Sequence, residues 1–412
     1  MIEFTLSTLP NGLRVVHHFD GSTSQAAFNL LYNVGSRDES PCRTGMAHLF
    51  EHLMFGGSAN VPDYDYAIEM AGGTNNAWTS PDFTNFYDIL PAANIATAFW
   101  AESDRMYRPL LQSSLDVQRS VVIEEFKQVC LNKPYGDTGH LLRDMLYRIH
   151  PYRWPTIGLT TDHIEAVTLS DIEQFFHSHY APNNAVLAVT GPVQLSQVQD
   201  LADKWFGNLE PRAIAPRTYA AEPDITQPRR KEVRCNVPQT RIYIAFPMPA
   251  QSHPDYKVAD LITDILASGN SSRFYRRLVM GTDIFTHADA SVSGSEEPGF
   301  LLVSARIGDD TDSCIAEAES RLWHEINLLA DGDVSESELQ RAVNRFESNR
   351  TFANISFVAK ARELALCAMR GDDINTITPQ YRAITTSDIT RVARAVMQPQ
   401  RACTLIYRTA AQ

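Results

Sequence analysis

Two stretches of this chain repeat each other at a fixed distance. Residues 168–191 read TLSDIEQFFHSHYAPNNAVLAVTG, and residues 385–408 read TTSDITRVARAVMQPQRACTLIYR. Ser170, Asp171 and Ile172 match Ser387, Asp388 and Ile389, and Pro182 matches Pro399, always at an offset of 217 residues. Each copy reads as a helix start, an amphipathic helix, a proline turn and a strand. In the first copy Ser170 and Glu173 have capping-box spacing. A single long repeat implies duplicated domains, because solenoid periods are far shorter. Between the copies, residues 211–230 (PRAIAPRTYAAEPDITQPRR) are proline-rich and aperiodic, as a linker is. The expected division is a domain over 1–215, a linker over 216–230 and a second domain over 231–412. Strands and helices mix without strict βαβ alternation. Asn11-Gly12 inside Thr5–His18 is a hairpin signal, and Ala26–Val34 and Arg241–Phe246 read as extended. The expected fold class is α+β, with two related domains, each a sheet carrying helices on one face.

Composition narrows the function. Of 412 residues, 44% are hydrophobic, enough for two such cores. Lys and Arg number 36 against 49 Asp and Glu, a net charge of −13. That balance argues against a nucleic-acid partner, which needs a basic footprint, and against anionic lipid. No run reaches the roughly 18 apolar residues of a membrane span. The opening MIEFTLSTLPNG has neither the basic nor the apolar region of a signal peptide. The six cysteines are scattered without a CxxC pair and read as reduced thiols. A cytoplasmic protein is the expectation.

The chemistry concentrates in Thr44–Ser58, TGMAHLFEHLMFGGS. On a helical wheel with His48 at the origin, His52 falls at about 40° and Glu51 at about 300°. Met46, Leu49, Phe50, Leu53 and Met54 fill the opposite, wide face, and Gly56-Gly57 can end the helix. A buried helix keeps such a polar cluster only if something satisfies it. Two histidines at i and i+4 have the spacing that grips one Zn²⁺. The bland reading is a chance H-x-x-E-H on a helix surface, and the apolar surroundings weigh against it.

A catalytic zinc site takes three protein ligands and leaves a position open for water. The third ligand is sought in Asp116–Cys130, DVQRSVVIEEFKQVC. With Val117 at the origin, Val121, Val122, Phe126 and Val129 centre an apolar stripe near about 100°. Glu125 falls inside that stripe and Glu124 outside it. A carboxylate on a buried face needs a cation, so Glu125 is the predicted ligand and Glu124 is predicted solvated or paired. The alternative for Glu125 is an ion pair with Arg119 or Lys127. Gln118, two turns earlier on the same side, is predicted to back the site. Then His48, His52 and Glu125 hold one Zn²⁺ per chain, the metal acidifies its water and polarises a carbonyl, and Glu51 moves the proton to the leaving amine.

HLFEH, followed 73 residues after His52 by Glu125 in VVIEEF, resembles the inverted zinc motif of the pitrilysin-type metallopeptidases, the family of insulin-degrading enzymes and mitochondrial processing peptidases. LPNGLRV, VGSRDE at Val34–Glu39, GGTNNAWTSPDFTNFY at Gly72–Tyr87 and GNSSRFYRRLV at Gly269–Val279 fit the same family. The resemblance implies similar αβ domains forming half of a clamshell around a peptide, and a partner chain, most simply a homodimer, with a heterodimer as the alternative. It implies that peptide substrate adds as a strand near Asn76, Ala77 and Thr79; an ordinary edge strand is the competing reading. It also implies a substrate-touching arginine, best matched by Arg273, with helix capping or an ion pair as its bland alternative. Two departures stand out. Phe285 occupies the position near which the family has a tyrosine, and Gln118 stands where the family usually has glutamate. The expected function is a zinc endopeptidase acting on short or unfolded peptides in an enclosed chamber. The rival is a non-catalytic or partner-dependent subunit of a heterodimeric complex.

Overall fold

The computed structural model describes residues 1–410. The chain forms two compact units, and neither is one continuous segment. The first comprises Met1–Lys127, Trp154–Tyr219 and Arg350–Ile377; the second comprises Gln128–Arg153, Ala220–Asn349 and the chain from Thr378 onward. The switch after Tyr219 falls within the linker expected at 216–230. The exchange of 128–153 and 350–377 between the units departs from the two continuous domains read from the sequence.

The first unit is built on a six-stranded sheet of β1 (Thr5–Thr8), β2 (Arg14–Phe19), β3 (Gln25–Tyr32), β4 (Thr74–Thr79), β5 (Thr84–Pro91) and β6 (Ala185–Gly191). Their order is β1-β2-β6-β3-β5-β4, so β4 is an edge strand. Only β2 and β6 run parallel. The β1–β2 hairpin forms around Asn11-Gly12, where Gly12 adopts φ 87°. Alternate residues of a strand face opposite sides, and β3 buries both. Phe28 packs edge-on against Phe99 at 4.9 Å and lies near Phe206, while Ala27 and Leu31 join a cluster with Ala361, Leu364 and Ala365 on the other side. The helix Phe357–Arg370 supplies that second cover, and this is why the segment belongs to the first unit. Covering both faces corrects the one-face expectation. It also explains why β3 and β6 are nearly continuous apolar runs rather than alternating ones.

Polar contacts fasten the same helix. Arg14 Nη1 donates to Ala368 O at 2.7 Å and Thr190 Oγ1 to Phe357 O at 2.6 Å. Lys360, a residue 9% exposed, pairs through its ammonium with Asp20.

The second unit carries the sheet β7 (Arg229–Cys235), β8 (Thr240–Met248), β9 (Phe285–Ser293), β10 (Gly299–Ile307) and β11 (Cys403–Thr409), in the order β7-β11-β8-β10-β9. The segment 128–153 joins it through the helix Thr138–Leu146, whose Leu142, Met145 and Leu146 cluster with Tyr243, Ala245, Leu405 and Tyr407. On the opposite face Phe246 meets Trp323 edge-on at 5.6 Å. The repeat is visible in the helices Leu169–His179 and Thr386–Val396. Both start in a capping box, formed by Thr168 with Asp171 and by Thr385 with Asp388. The box therefore lies two residues before the Ser170–Glu173 pair expected, because the first helical residue is Leu169. Among the described residues no helix is long and apolar enough to cross a membrane.

Two consequences are measurable. Leu364→Ala should leave a cavity under the sheet and destabilise the first unit by about 2–5 kcal/mol, read as a lower urea midpoint. The Lys360 hydrogen bond holds the Asp20 carboxyl well below its ordinary range. A depressed carboxylate stabilises the fold above its unfolded pKa of about 3.9, and that contribution is lost as pH falls below it. Stability measured between pH 6 and 2 should therefore fall less steeply in Asp20→Asn than in the parent chain.

Candidate metal centre

Helix α1 (Met46–Leu53) is placed by its N-terminus and by its apolar face. Gly45 precedes it at φ 88°, and a Cβ there would stand 2.9 Å from Ile157 O, so a side chain is excluded on both counts. Glu39 is buried beside this start. Its two oxygens accept the Gly45 and Ala47 N–H groups at 2.9 and 2.8 Å, meeting the orphan donors of the first turn. Burial pushes the Glu39 carboxyl up, against the pull of those two amides. Thr44 Oγ1 accepts from Leu159 N and bonds His163 Nδ1, both at 2.8 Å. Met46, Leu49, Phe50, Leu53 and Met54 are all buried, as the wheel requires. Phe50 packs on the helix Leu169–His179 and the residue after it, with ring centres 6.0 Å from Phe176 and 4.2 Å from Tyr180.

With that face down, His48 and His52 stand on the other, rings edge-on with centres 4.8 Å apart. Helix α4 (Leu111–Phe126; the intervening α2 is Tyr64–Met70 and α3 Ala96–Tyr107) crosses beside them. Glu125 Oε2 lies 3.7 Å from His48 Nε2 and 3.6 Å from His52 Nε2. Among the described residues these three form the group whose donor atoms, all within 4.8 Å of one another, could hold a metal. Two ligands about 2.0–2.1 Å from a tetrahedral zinc ion stand roughly 3.4 Å apart. The three donors are thus spaced to surround an ion rather than to bond one another, and two imidazoles with one carboxylate suit zinc.

The electrostatics fit as well. Burial, and then the neighbouring His52, push the His48 imidazole down to about 4, which keeps it neutral and able to ligate. Burial works to lower His52 too, but the Glu125 and Glu51 carboxylates and the Gln118 side chain raise it overall. Glu125 is held low, first by His52 and despite its own burial. Gln118 lies on α4 two turns before Glu125, where its side chain is one of the groups acting on His52. Glu124 pairs with Lys127 at 2.6 Å and Arg119 with Asp116 at 2.8 Å, so neither cation takes Glu125.

The stripe on α4 differs from the one predicted. Val117 is 63% and Val121 45% exposed; Leu111, Leu115, Val122 and Phe126 are the buried set. Glu125 therefore sits on the border of the buried face, its side chain 39% exposed, rather than at its centre. The wheel counted valines as buried because they are apolar, and it had no information on where the neighbouring helices lie.

Glu51, also on α1, is mostly buried. Burial pushes its carboxyl up, opposed by a hydrogen bond from Thr79 Oγ1 to its Oε2 at 2.5 Å. Thr79 ends β4. Asn76 and Ala77 lie along the same edge strand, and the Ala77 N–H donates to Asn76 Oδ1 at 2.8 Å. Arg273 lies in the second unit. It is 3% exposed, with Nε donating to Glu338 Oε1 at 2.8 Å and Nη2 to Asp333 O, so its guanidinium serves an internal ion pair. Phe285 opens β9 and is buried. Glu39 was not singled out as a site residue. Its signal was the VGSRDE run, whose acidic end precedes a helix start by a few residues.

A helix-borne His-x-x-Glu-His set completed by a glutamate from a second helix, beside the edge of a mixed sheet, defines the class of inverted-motif metallopeptidases. The model "Insulinase (Peptidase family M16)" matches residues 14–158, and "Peptidase M16 inactive domain" matches residues 166–346. The chain belongs to this pitrilysin-type M16 peptidase family. It is 27% identical to the zinc protease PqqE of Helicobacter pylori, over 97% of this chain and 92% of that one. It is also 27% identical to the mitochondrial-processing peptidase subunit beta of Saccharomyces cerevisiae, over 82% of this chain and 75% of that one. The crystal structure of a protease from Helicobacter pylori superposes with a TM-score of 0.92 at 26% identity, covering 99% of this chain and 100% of that one.

Removing the side chain predicted to back the site tests the assembly. Gln118→Ala should weaken zinc affinity by about 10–100-fold, measured by competition with a chelating dye, with secondary structure unchanged.

Proposed function

We propose that this chain is a zinc-dependent peptidase that hydrolyses peptide bonds of short or unfolded peptides. The observation that carries the reading is the convergence of His48 Nε2, His52 Nε2 and Glu125 Oε2 to metal-ligand spacing, with Glu51 one residue before a ligand on the same helix. His48, His52 and Glu125 would hold the ion. When bound, zinc supplies Lewis acidity, lowering the pKa of water to about 7 and polarising a peptide carbonyl. Glu51 takes a proton from the attacking water and delivers it to the leaving amine nitrogen. Its burial suits the first half of that task, since a carboxyl raised from its ordinary range takes up a proton more readily than a solvated one. The unpaired edge of β4 offers the Ala77 backbone to an extended peptide, which supplies register with little demand on side chains. The Asn76 carboxamide that now occupies the Ala77 N–H would give way to a substrate carbonyl.

A second reading, a subunit active only with a different partner chain, is favoured by the neutral Gln118 and by the relative named as a processing-peptidase subunit. Sizing and assay of the purified chain separate the two. Cleavage by the chain alone, as monomer or homodimer, supports the first reading; cleavage that appears only on adding a second chain supports the other.

Glu51→Gln is the direct test of the mechanism. The variant should retain one zinc per chain by atomic absorption and lose at least about 10²–10⁴-fold in kcat on a fluorogenic peptide. Activity near that of the parent would refute the assignment of Glu51 as the base.

A further inference from the structure

The hydroxyl of Thr79 points at the proposed base rather than into open solvent beside the edge strand. A threonine hydroxyl has one proton to give, and Thr79 gives it to Glu51 Oε2 at 2.5 Å. It therefore has no proton left for a substrate carbonyl. Glu51 Oε1 receives no hydrogen bond among the described residues. One carboxylate oxygen is thus tied and the other is free. A glutamate side chain has several rotatable bonds, and among the described residues the Thr79 hydroxyl is the group that hydrogen-bonds this carboxylate.

The tie comes from a particular place. Thr79 is the last residue of β4, whose other edge has no strand partner. Ala77 and Thr79 lie on one face of that strand and Asn76 and Trp78 on the other. Thr79 is β-branched and stiff about χ1, so its Oγ1 follows its backbone closely. A peptide that pairs with the β4 edge bonds the backbone of the strand that grips the base.

We propose that Thr79 is a positioning residue: it holds Glu51 by Oε2 in the rotamer that leaves Oε1 for proton transfer, and it passes the state of the β4 edge directly to that carboxylate. The inference rests on Glu51 being the base, and its test is chosen to fail separately from that reading.

Thr79→Val keeps the branched shape and removes the donor; Thr79→Ser keeps the donor. The three chains are to be compared as full-length, zinc-loaded protein. Thr79→Val should lower kcat by about 10–100-fold, the scale of a misplaced reacting group. KM should stay within about twofold, zinc content and thermal midpoint should match the parent, and Thr79→Ser should restore kcat to within about threefold of it. Crystal structures of the metal-free variants give a readout independent of turnover. Glu51 should leave its rotamer in Thr79→Val and keep it in Thr79→Ser. An unchanged kcat in Thr79→Val, a rise in KM alone, or an unmoved Glu51 would overturn the proposal, the second of these by showing substrate contact instead. Should Thr79→Val not fold, Thr79→Ala against Thr79→Ser makes the same comparison. If the zinc-loaded parent cleaves no peptide, the peptidase reading fails, and the Glu51 rotamers alone decide the role of Thr79.

Discussion

The seating of helix α1 is the constraint on which the first unit's site depends. A short helix bearing two imidazoles and a carboxylate on one arc cannot be held by that arc. It is held from the opposite side by five buried apolar residues, and at its start by the Glu39 carboxylate that accepts the Gly45 and Ala47 amides. The first contribution is non-directional and sets depth; the second is directional and sets the phase of the helix about its axis. Both are needed, because a rotation of one residue (about 100°) would turn His48 into the core.

A comparable division of labour holds the sheet edge. Behind β5, Arg105 is fully buried and donates through Nε to Glu102 Oε2 at 2.7 Å, while Tyr64 Oη bonds Asp88 at 3.0 Å and Glu102 at 3.1 Å. The guanidinium lies over the Tyr64 and Phe86 rings, 4.1 and 4.2 Å from their centres. Burial, and then the Glu102 charge, push the Asp88 carboxyl well above its ordinary range. Such a network leaves little freedom to the strands and helices it joins, α2, α3 and β5, and so steadies the neighbouring β4. The two sides of the proposed chemistry, ligands on helices and a peptide-pairing edge, thus stand on separately braced supports within one unit.

Much of this was legible in the chain. The periodicity of α1 gave its buried face residue by residue, since a helix of that length has one geometry. The offset of 217 residues anticipated a helix start in each copy, though the first capping box lies two residues before the pair expected. The pairing of HLFEH with Glu125 was legible from the spacing of the two motifs, although Glu125 sits on the border of its helix's buried face and not at its centre. The stripe on α4 was only half right. Val117 and Val121 are apolar yet exposed, and a wheel ranks residues by character, not by what packs against them. The exchange of 128–153 and 350–377 between units could not be read either. A helix such as Phe357–Arg370 shows an apolar face but not which of two sheets needs it.

What the sequence determined alone is therefore local and chemical: residue types at fixed spacing on elements with fixed geometry, which name the candidate ligands, the proposed base and the family. What the tertiary structure decided is which surfaces meet. Thr79 in GGTNNAWTS carries no mark of its bond to Glu51, 28 residues away in the chain. Arg273 carries none of its burial against Glu338. Hydrogen bonds of this kind depend on distances of a few tenths of an ångström between distant segments, and those distances exist only once burial of the apolar faces has brought the segments together.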